Sequence, residues 1–400
     1  MRKVIISLCC TLFLILCTIF IKNNVNPSFH NFANKKDDKK DILLVTHFVE
    51  QTGAQIMLFN LADILLENGY SVYLYAYRDG NMRKVYKKRG VKIIVDKKYE
   101  KNYDFSKIVQ QFDLVITNDL WTSSSYLLAN KYVPTIWWIH AFPEYNKTIM
   151  NIYDDIYYSK PNIFPSYDWV LSKAKYLVSV SELLSDSVKQ INSNNINIIH
   201  NIIDEEIILC EKKEKNTDII SFSFITWMGY NKGTDILIDA ILLLPEKYKN
   251  KAEFNLVGNN DSVEKLKSKT INNKNIKWLG TIPYKNMKKI YAQTDVLLHP
   301  SRKDTVALTV LEAAANSIPS VISDNTGSTY IIKDGESGFV VPVGDAEALK
   351  EKIMWFIDNP EQIEVMGKKA NQYYKETSSK EIFEEKWLKL IEQVLLTEKK

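Results

Sequence analysis

The chain is poor in cysteine where a folded body would use it. Cys9, Cys10 and Cys17 fall in one apolar run near the start and only Cys210 stands in the rest, so a disulfide framework and a cysteine-built zinc site are both excluded. A charge excess is also lacking. The 52 Lys+Arg against 48 Asp+Glu leave only +4, too little for a groove that tracks a polyanion, and nucleic acid is not an expected partner. No repeat recurs at a period of about 20–50 residues, which sets solenoids and propellers aside. No aspartate-rich D-x-D motif stands at a predicted strand end, Asp37-Asp38 lying in a polar stretch, so neither metal nor cofactor is expected. What is present is 400 residues, 46% hydrophobic and 25% charged, enough for about two packed domains.

Val4 to Ile21 is eighteen residues without a charge, following Arg2 and Lys3, and meets the minimum length of a spanning helix. A cleavable signal wants small residues before the cut; Leu16-Cys17-Thr18 and Phe20-Ile21-Lys22 supply none, which favours an uncleaved transmembrane anchor over residues 1–22. Lys22, Lys35, Lys36, Lys39 and Lys40 outnumber Arg2 and Lys3, so the body is expected on the cytoplasmic side of a membrane. Residues 23–40 read as a polar tether.

From Asp41 onward, short apolar runs alternate with amphipathic stretches, the pattern of βα units around parallel sheets. Seven strands are predicted between Ile42 and Ile199, with a helix over Gln55–Glu67 that Gly69 stops. A second series begins at Ser221, with five strands to Ser323 and helices near Asp235–Leu244, Asn286–Gln293, Ala307–Asn316 and Asp345–Ile357. The expected fold is α/β: two facing Rossmann-like domains, 41–205 and 218–378, joined by a charged linker over 206–217. A closing helix over 379–400 would pack across the junction. A ligand is expected in the crevice at the carboxyl ends of the strands.

The segment His299-Pro-Ser-Arg-Lys-Asp304-Thr-Val-Ala-Leu-Thr-Val-Leu-Glu312 ends a strand and runs into a helix expected to begin near Val306. Free amides at that helix start form an anion site. Glu312, tilted back over the first turns, could accept bonds from a ribose diol, with Asp304 facing the group beyond the phosphates. As an isolated pair, a helix-start aspartate and a solvated glutamate would be the plainer assignment. Gly53 suits a tight turn after the first strand where a substrate approaches the backbone. His140 ends a strand, where a lone histidine is more often structural. Trp137, Trp138, Phe142, Pro143 and Tyr145 fit core and loop packing better than an acceptor cleft. The basic runs Arg83–Arg89 and Lys212–Lys215 fit solvated faces, or a face for anionic lipid head groups. Asn146-Lys-Thr and Asn260-Asp-Ser are glycosylation sequons by pattern only.

The D-x7-E segment resembles the nucleotide-sugar signature of family-4 retaining glycosyltransferases of the GT-B fold, usually E-x7-E. Pro319-Ser-Val-Ile-Ser-Asp and Asp334-Gly-Glu-Ser-Gly-Phe-Val-Val-Pro342, then Gly344-Asp345, resemble the family's continuation in order and spacing. Thr46 to Ala54 resembles its first strand and glycine loop, and Ile136-Trp-Trp-Ile-His140 a strand end carrying its active-site histidine. The resemblance spans about residues 42–360. It implies that Glu312 binds the donor ribose and that Gly53 lies at the donor. The amides of Thr305, Val306, Ala307 and Leu308 would hold the diphosphate and sugar, Asp304 the hydroxyls of the transferred sugar, and Lys232 the diphosphate charge. His140 would sit near the reacting carbon as a positioning group. Trp227 stands where the family often has an arginine, so one cationic contact is missing or comes from elsewhere. The implied activity is metal-independent, retaining transfer from a nucleoside-diphosphate sugar to a membrane-associated glycan or lipid-linked acceptor. The rivals are a nucleotide-sugar epimerase, a tethered solute-binding protein, and a non-catalytic binding relative.

Overall fold

The computed structural model describes residues 38–96, 105–144, 166–211, 218–259 and 263–398. The expected anchor at 1–22, the tether to residue 37, Tyr145 and both sequons' asparagines lie outside them. Among the described residues no helix is long and apolar enough to cross a membrane.

Two parallel sheets carry the chain. The first orders its strands β3-β2-β1-β4-β5-β6-β7: β1 Asp41–Phe48, β2 Ser71–Arg78, β3 Lys92–Val95, β4 Leu114–Asn118, β5 Thr135–Ile139, β6 Tyr176–Ser179 and β7 Ile196–Ile198. The second orders β10-β9-β8-β11-β12-β13: β8 Ile220–Ile225, β9 Ala252–Val257, β10 Ile276–Gly280, β11 Val296–His299, β12 Ser320–Ser323 and β13 Gly338–Val341. Strand order reverses beside β1 in one sheet and beside β8 in the other, and the crevice of a doubly wound sheet opens at such a switch point. Central strands are buried on both faces, as in β1, where Ile42 to Val45 are fully inaccessible. That explains their continuous apolar runs rather than alternation.

The helices that bear on the site are α1 (Gly53–Glu67), α2 (Glu182–Lys189), α3 (Thr234–Leu242), α4 (Leu308–Ala315), α5 (Ala346–Asp358), α6 (Glu361–Ser378) and α7 (Lys380–Thr397). Helix α1 buries Leu58, Leu61, Ala62 and Leu65 along one stripe and stops at Gly69, which has φ +82°, in the left-handed region open to glycine. Strand β13 and helix α6 were not among the predicted elements. β13 is four residues between Gly338 and Pro342, too short to show a period, and the apolar positions of α6 (Ile363, Met366, Ala370, Tyr374) are diluted by charge.

The chain leaves the first domain at Asp204. The short helix Glu205–Ile208 and Cys210 are already held by the second: Asn316 Nδ2 donates to the Ile208 carbonyl (3.3 Å), and the Cys210 amide donates to Asn316 Oδ1 (3.0 Å). The charged run begun at 206 is therefore in part a bound segment; 212–217 lie outside the described residues. At the other end α7 returns to the first domain. Trp387 is fully buried with its ring 4.8 Å from that of Trp138 on β5, and Phe383 packs on the same indole at 5.9 Å. Each such aromatic contributes about 2–3 kcal/mol by burial.

Candidate active site between the two sheets

On the second-domain side the chain leaves β8 through Trp227-Met-Gly-Tyr-Asn-Lys232-Gly233. Gly233 has φ +71°, and a Cβ there would stand 1.9 Å from the Pro300 carbonyl oxygen, so glycine alone lets this loop lie against the one after β11. The contact brings Lys232 Nζ to 2.5 Å from Asp304 Oδ2, and His299 Nε2 reaches the same oxygen at 3.0 Å and Ser301 Oγ at 2.9 Å. Asp304 and His299 are buried, while the Lys232 side chain is 30% exposed toward the crevice. Burial would raise the Asp304 pKa, but the Lys232 ammonium and the His299 hydrogen bond outweigh it and hold the carboxyl well below its ordinary range. Burial lowers the pKa of His299 against the pull of Asp304, leaving a neutral imidazole. Arg302 clamps the same two loops with a bidentate pair to Asp235 (2.8 and 2.7 Å), its guanidinium 3.8 Å from the Tyr230 ring centre. Trp227 is 73% exposed.

Asp304 bridges to Thr326, and Gly327 returns its amide to the Asp304 carbonyl at 2.9 Å. Helix α4 starts at Leu308 rather than near Val306, because Thr305 to Ala307 are drawn out into contacts of their own. Of the four amides assigned to the anion site, that of Ala307 donates to Ser328 Oγ (3.2 Å). Among the described residues none accepts from the amides of Thr305, Val306 or Leu308, whereas the Ala307 amide is already taken. Glu312 is not a solvated helix residue. It is 4% exposed, and its carboxylate accepts from the hydroxyls of Tyr291 and Tyr284. Burial lifts its pKa to about 7 against those two bonds. Neither tyrosine, nor His299, was singled out from sequence. Tyr284 and Tyr291 lie outside the motif and reach Glu312 only through the fold.

On the first-domain side, Gly53 is not the turn residue expected. The turn is made by Glu50 to Thr52, and Gly53 opens α1. A Cβ at Gly53 would lie 3.4 Å from Leu308 of the second domain, so the close approach is to α4. His140, just after β5, sets Nε2 2.9 Å from Asn118 Oδ1, while Asn118 Nδ2 donates to the Ala54 carbonyl at 3.4 Å. That network assigns the proton to Nε2 and leaves Nδ1 as an acceptor. Burial lowers the His140 pKa to about 3, so the ring is neutral at physiological pH. Between them sits Asp119, with φ 71° and ψ 172°. Its carboxyl accepts from the amides of Leu120 (2.8 Å) and His140, and burial raises its pKa to about 6 against those bonds. His47, at the end of β1, stacks on Trp121 at 5.3 Å and is lowered to about 4 by burial and by Arg78. Trp137, Trp138 and Phe142 are core.

Among the described residues, several ties cross between the domains. Thr305 Oγ1 donates to the His140 carbonyl (2.8 Å), Ser181 Oγ donates to the Thr305 carbonyl (2.7 Å), and Glu144 pairs with Lys303 (3.2 Å). At Gly327 a Cβ would meet both Thr305 O (1.9 Å) and Ser181 Oγ (2.5 Å), so a side chain there would push the domains apart. His140, Asp304 and Lys232 are thus gathered at one crevice, with Glu312 behind them. No group of three or more His, Cys, Asp or Glu side chains among the described residues is arranged to hold a metal ion.

Two parallel α/β sheets facing across such a crevice define the GT-B class, and the chain matches known proteins accordingly. Residues 38–160 match the glycosyl-transferase family 4 model and residues 206–373 that of glycosyl transferases group 1. The chain belongs to these GT-B glycosyltransferases. It is similar to an uncharacterized glycosyltransferase of Methanocaldococcus jannaschii, 24% identical over 53% of this chain and 58% of that one. It is also similar to the UDP-N-acetylglucosamine–N-acetylmuramyl-(pentapeptide) pyrophosphoryl-undecaprenol N-acetylglucosamine transferase of a Thermoanaerobacter species, 28% identical over 56% of this chain and 64% of that one. The chain spans about half the length of the curated relatives it matches. Among solved structures, that of HepE from Anabaena in complex with UDP and glucose shares the fold with a TM-score of 0.71 at 16% identity, over 88% of this chain and 99% of that one.

Proposed function

We propose that the protein transfers a sugar from a nucleoside-diphosphate donor to a membrane-associated glycan or lipid-linked acceptor, with retention of configuration and without a metal. The observation that carries this reading is the Lys232–Asp304 pair at the carboxyl ends of β8 and β11, beside free amides at the start of α4 and opposite His140. In this reading the diphosphate binds at those amides and Lys232. Glu312, with its tyrosines, faces the ribose, Asp304 accepts from hydroxyls of the transferred sugar, and Gly53 lets the first domain lie against Leu308 at the donor loop. The acceptor oxygen attacks the anomeric carbon as its bond to the diphosphate oxygen breaks. The electron pair and developing charge pass to the diphosphate, where Lys232 and the helix start stabilise them, and the hydroxyl proton leaves with it. His140, neutral, accepts through Nδ1 from a sugar hydroxyl and so orients the reacting centre. The lipid-linked acceptor in the name of the Thermoanaerobacter relative, together with the apolar run before residue 22, supports an acceptor at a membrane and a single-pass anchor with the body on the cytoplasmic side.

The test is incubation of the full chain with a panel of nucleotide sugars, with and without lipid-linked acceptors, scored by nucleoside diphosphate release and by anomeric configuration of the product. Acceptor-dependent release is expected. Isomerised donor without transfer, or tight binding without turnover, would replace this reading by an epimerase or a binding protein.

A further inference from the structure

Asp119 is one of two non-glycine residues with positive φ among the described residues, the other being Ser317. Its φ 71° with ψ 172° lies in a region that essentially only glycine enters, and such strain persists only where surrounding bonds over-determine it. Here they do. The Asp119 amide donates to the Trp138 carbonyl at 2.8 Å, and its carbonyl accepts from Trp137 Nε1 at 3.0 Å and from Thr122 Oγ1 at 2.8 Å. Its carboxyl takes the amides of Leu120 and His140. The His140 peptide is therefore gripped on both sides: its N–H by Asp119 of the same domain, its C=O by the Thr305 hydroxyl of the other. The neighbouring Asn118 holds its ring.

We propose that Asp119 is a positioning residue, whose strained backbone aims a carboxylate at the His140 amide and so fixes both the imidazole and the carbonyl that meets the donor loop. Strain that a glycine would relieve is retained because glycine has no carboxylate. This rests on the glycosyltransferase reading only for its catalytic consequence; the placement of His140 is measurable without turnover.

Asp119→Gly and Asp119→Asn are made in the full chain. Kinetics, thermal midpoints and the imidazole resonances of 13C-labelled histidine are recorded, the His140 signal being assigned by its loss in His140→Gln. Asp119→Gly should fold with a Tm equal to or above wild type, lose about tenfold or more in kcat with donor KM little changed, and shift the His140 signal while those of His200 and His299 stay. Asp119→Asn, which keeps one acceptor of the two, should lie between and so partly rescue. A glycine variant with kcat within about twofold of wild type, an unmoved His140 signal, or an activity loss that merely follows a lower Tm would overturn the proposal. Absence of transfer in the wild type would sink the functional reading instead, and the histidine signal would still decide the placement.

Discussion

The two walls of the crevice are built on opposite electrostatic plans. The second-domain wall is charged and compensated: Lys232 against Asp304, Arg302 against Asp235. The first-domain wall is neutral at its two histidines, since burial keeps His140 and His47 uncharged; apart from Glu144, paired with Lys303 across the crevice, and the buried Asp119 carboxyl, it relies on hydrogen bonds and backbone constraint. A group that must bind a leaving diphosphate needs charge at low desolvation cost, hence a lysine paired yet part exposed. A group that orients a sugar hydroxyl needs direction, which a fixed neutral ring supplies. Substitutions should therefore behave differently on the two sides.

The largest effect is expected at Lys232→Ala, which should cut transfer about a hundredfold, the scale for removing a preorganised charge from a transition state. It also strands buried Asp304. Asp304 is depressed in the folded state, so its pairing stabilises fully above the unfolded carboxyl pKa of ~4 and is lost only as pH falls from there through the much lower folded pKa. Melts of wild type and variant should accordingly differ most near neutrality, and the gap should begin to narrow only below about pH 4; a gap that widens in acid would contradict the pairing. His140→Ala should cost about tenfold in kcat. The wild-type rate should show no inflection from His140 between about pH 5 and 8, because its pKa is about 3; a histidine-like inflection lost in the variant would break the contrast between the walls.

Glu312→Gln should separate stability from function. Its folded pKa, about 7, stands above the ordinary 4.5, so the folded state binds more protons in that window and wild-type stability falls as pH rises through it. The variant should be more stable than wild type at pH 8 by about 1–3 kcal/mol, the advantage vanishing toward ~4.5, while donor affinity drops about tenfold. Equal stability at all pH values would refute the assignment. The smallest effect is at Trp227→Arg: a cation at this exposed position should lower donor KM about two- to fivefold, and an unchanged KM would show that Trp227 lies off the diphosphate path.

The same contrast explains what could be read from the sequence. The charged wall is largely one contiguous stretch, His299 to Glu312, plus a glycine loop, so its order and spacing carried the family resemblance that assigned Lys232, Asp304 and Glu312, whereas His299, Ala307, the start of α4 and the two tyrosines on Glu312 needed the fold. The neutral wall is assembled from three strand ends far apart in the chain. His140 was reached through resemblance, and Asp119 carries no local signal because its strain is imposed by Trp137 and Trp138. Strand positions were legible because central parallel strands are continuous apolar runs. β13 and α6 were not, for want of length in one and of apolar contrast in the other.

The return of α7 has a mechanical consequence. The polypeptide passes between the domains twice, once near Asp204 and again at Ser379, so the second domain is suspended from the first at two points rather than hung from one. A single link would permit twisting about its own axis. A pair favours rotation about the line joining them, and any such opening of the crevice would have to part the Thr305 hydroxyl from the His140 carbonyl. Shortening the chain before Trp387 would cut one suspension point and strip the cover from Trp138, so the damage would fall on the first domain, more than two hundred positions away in sequence.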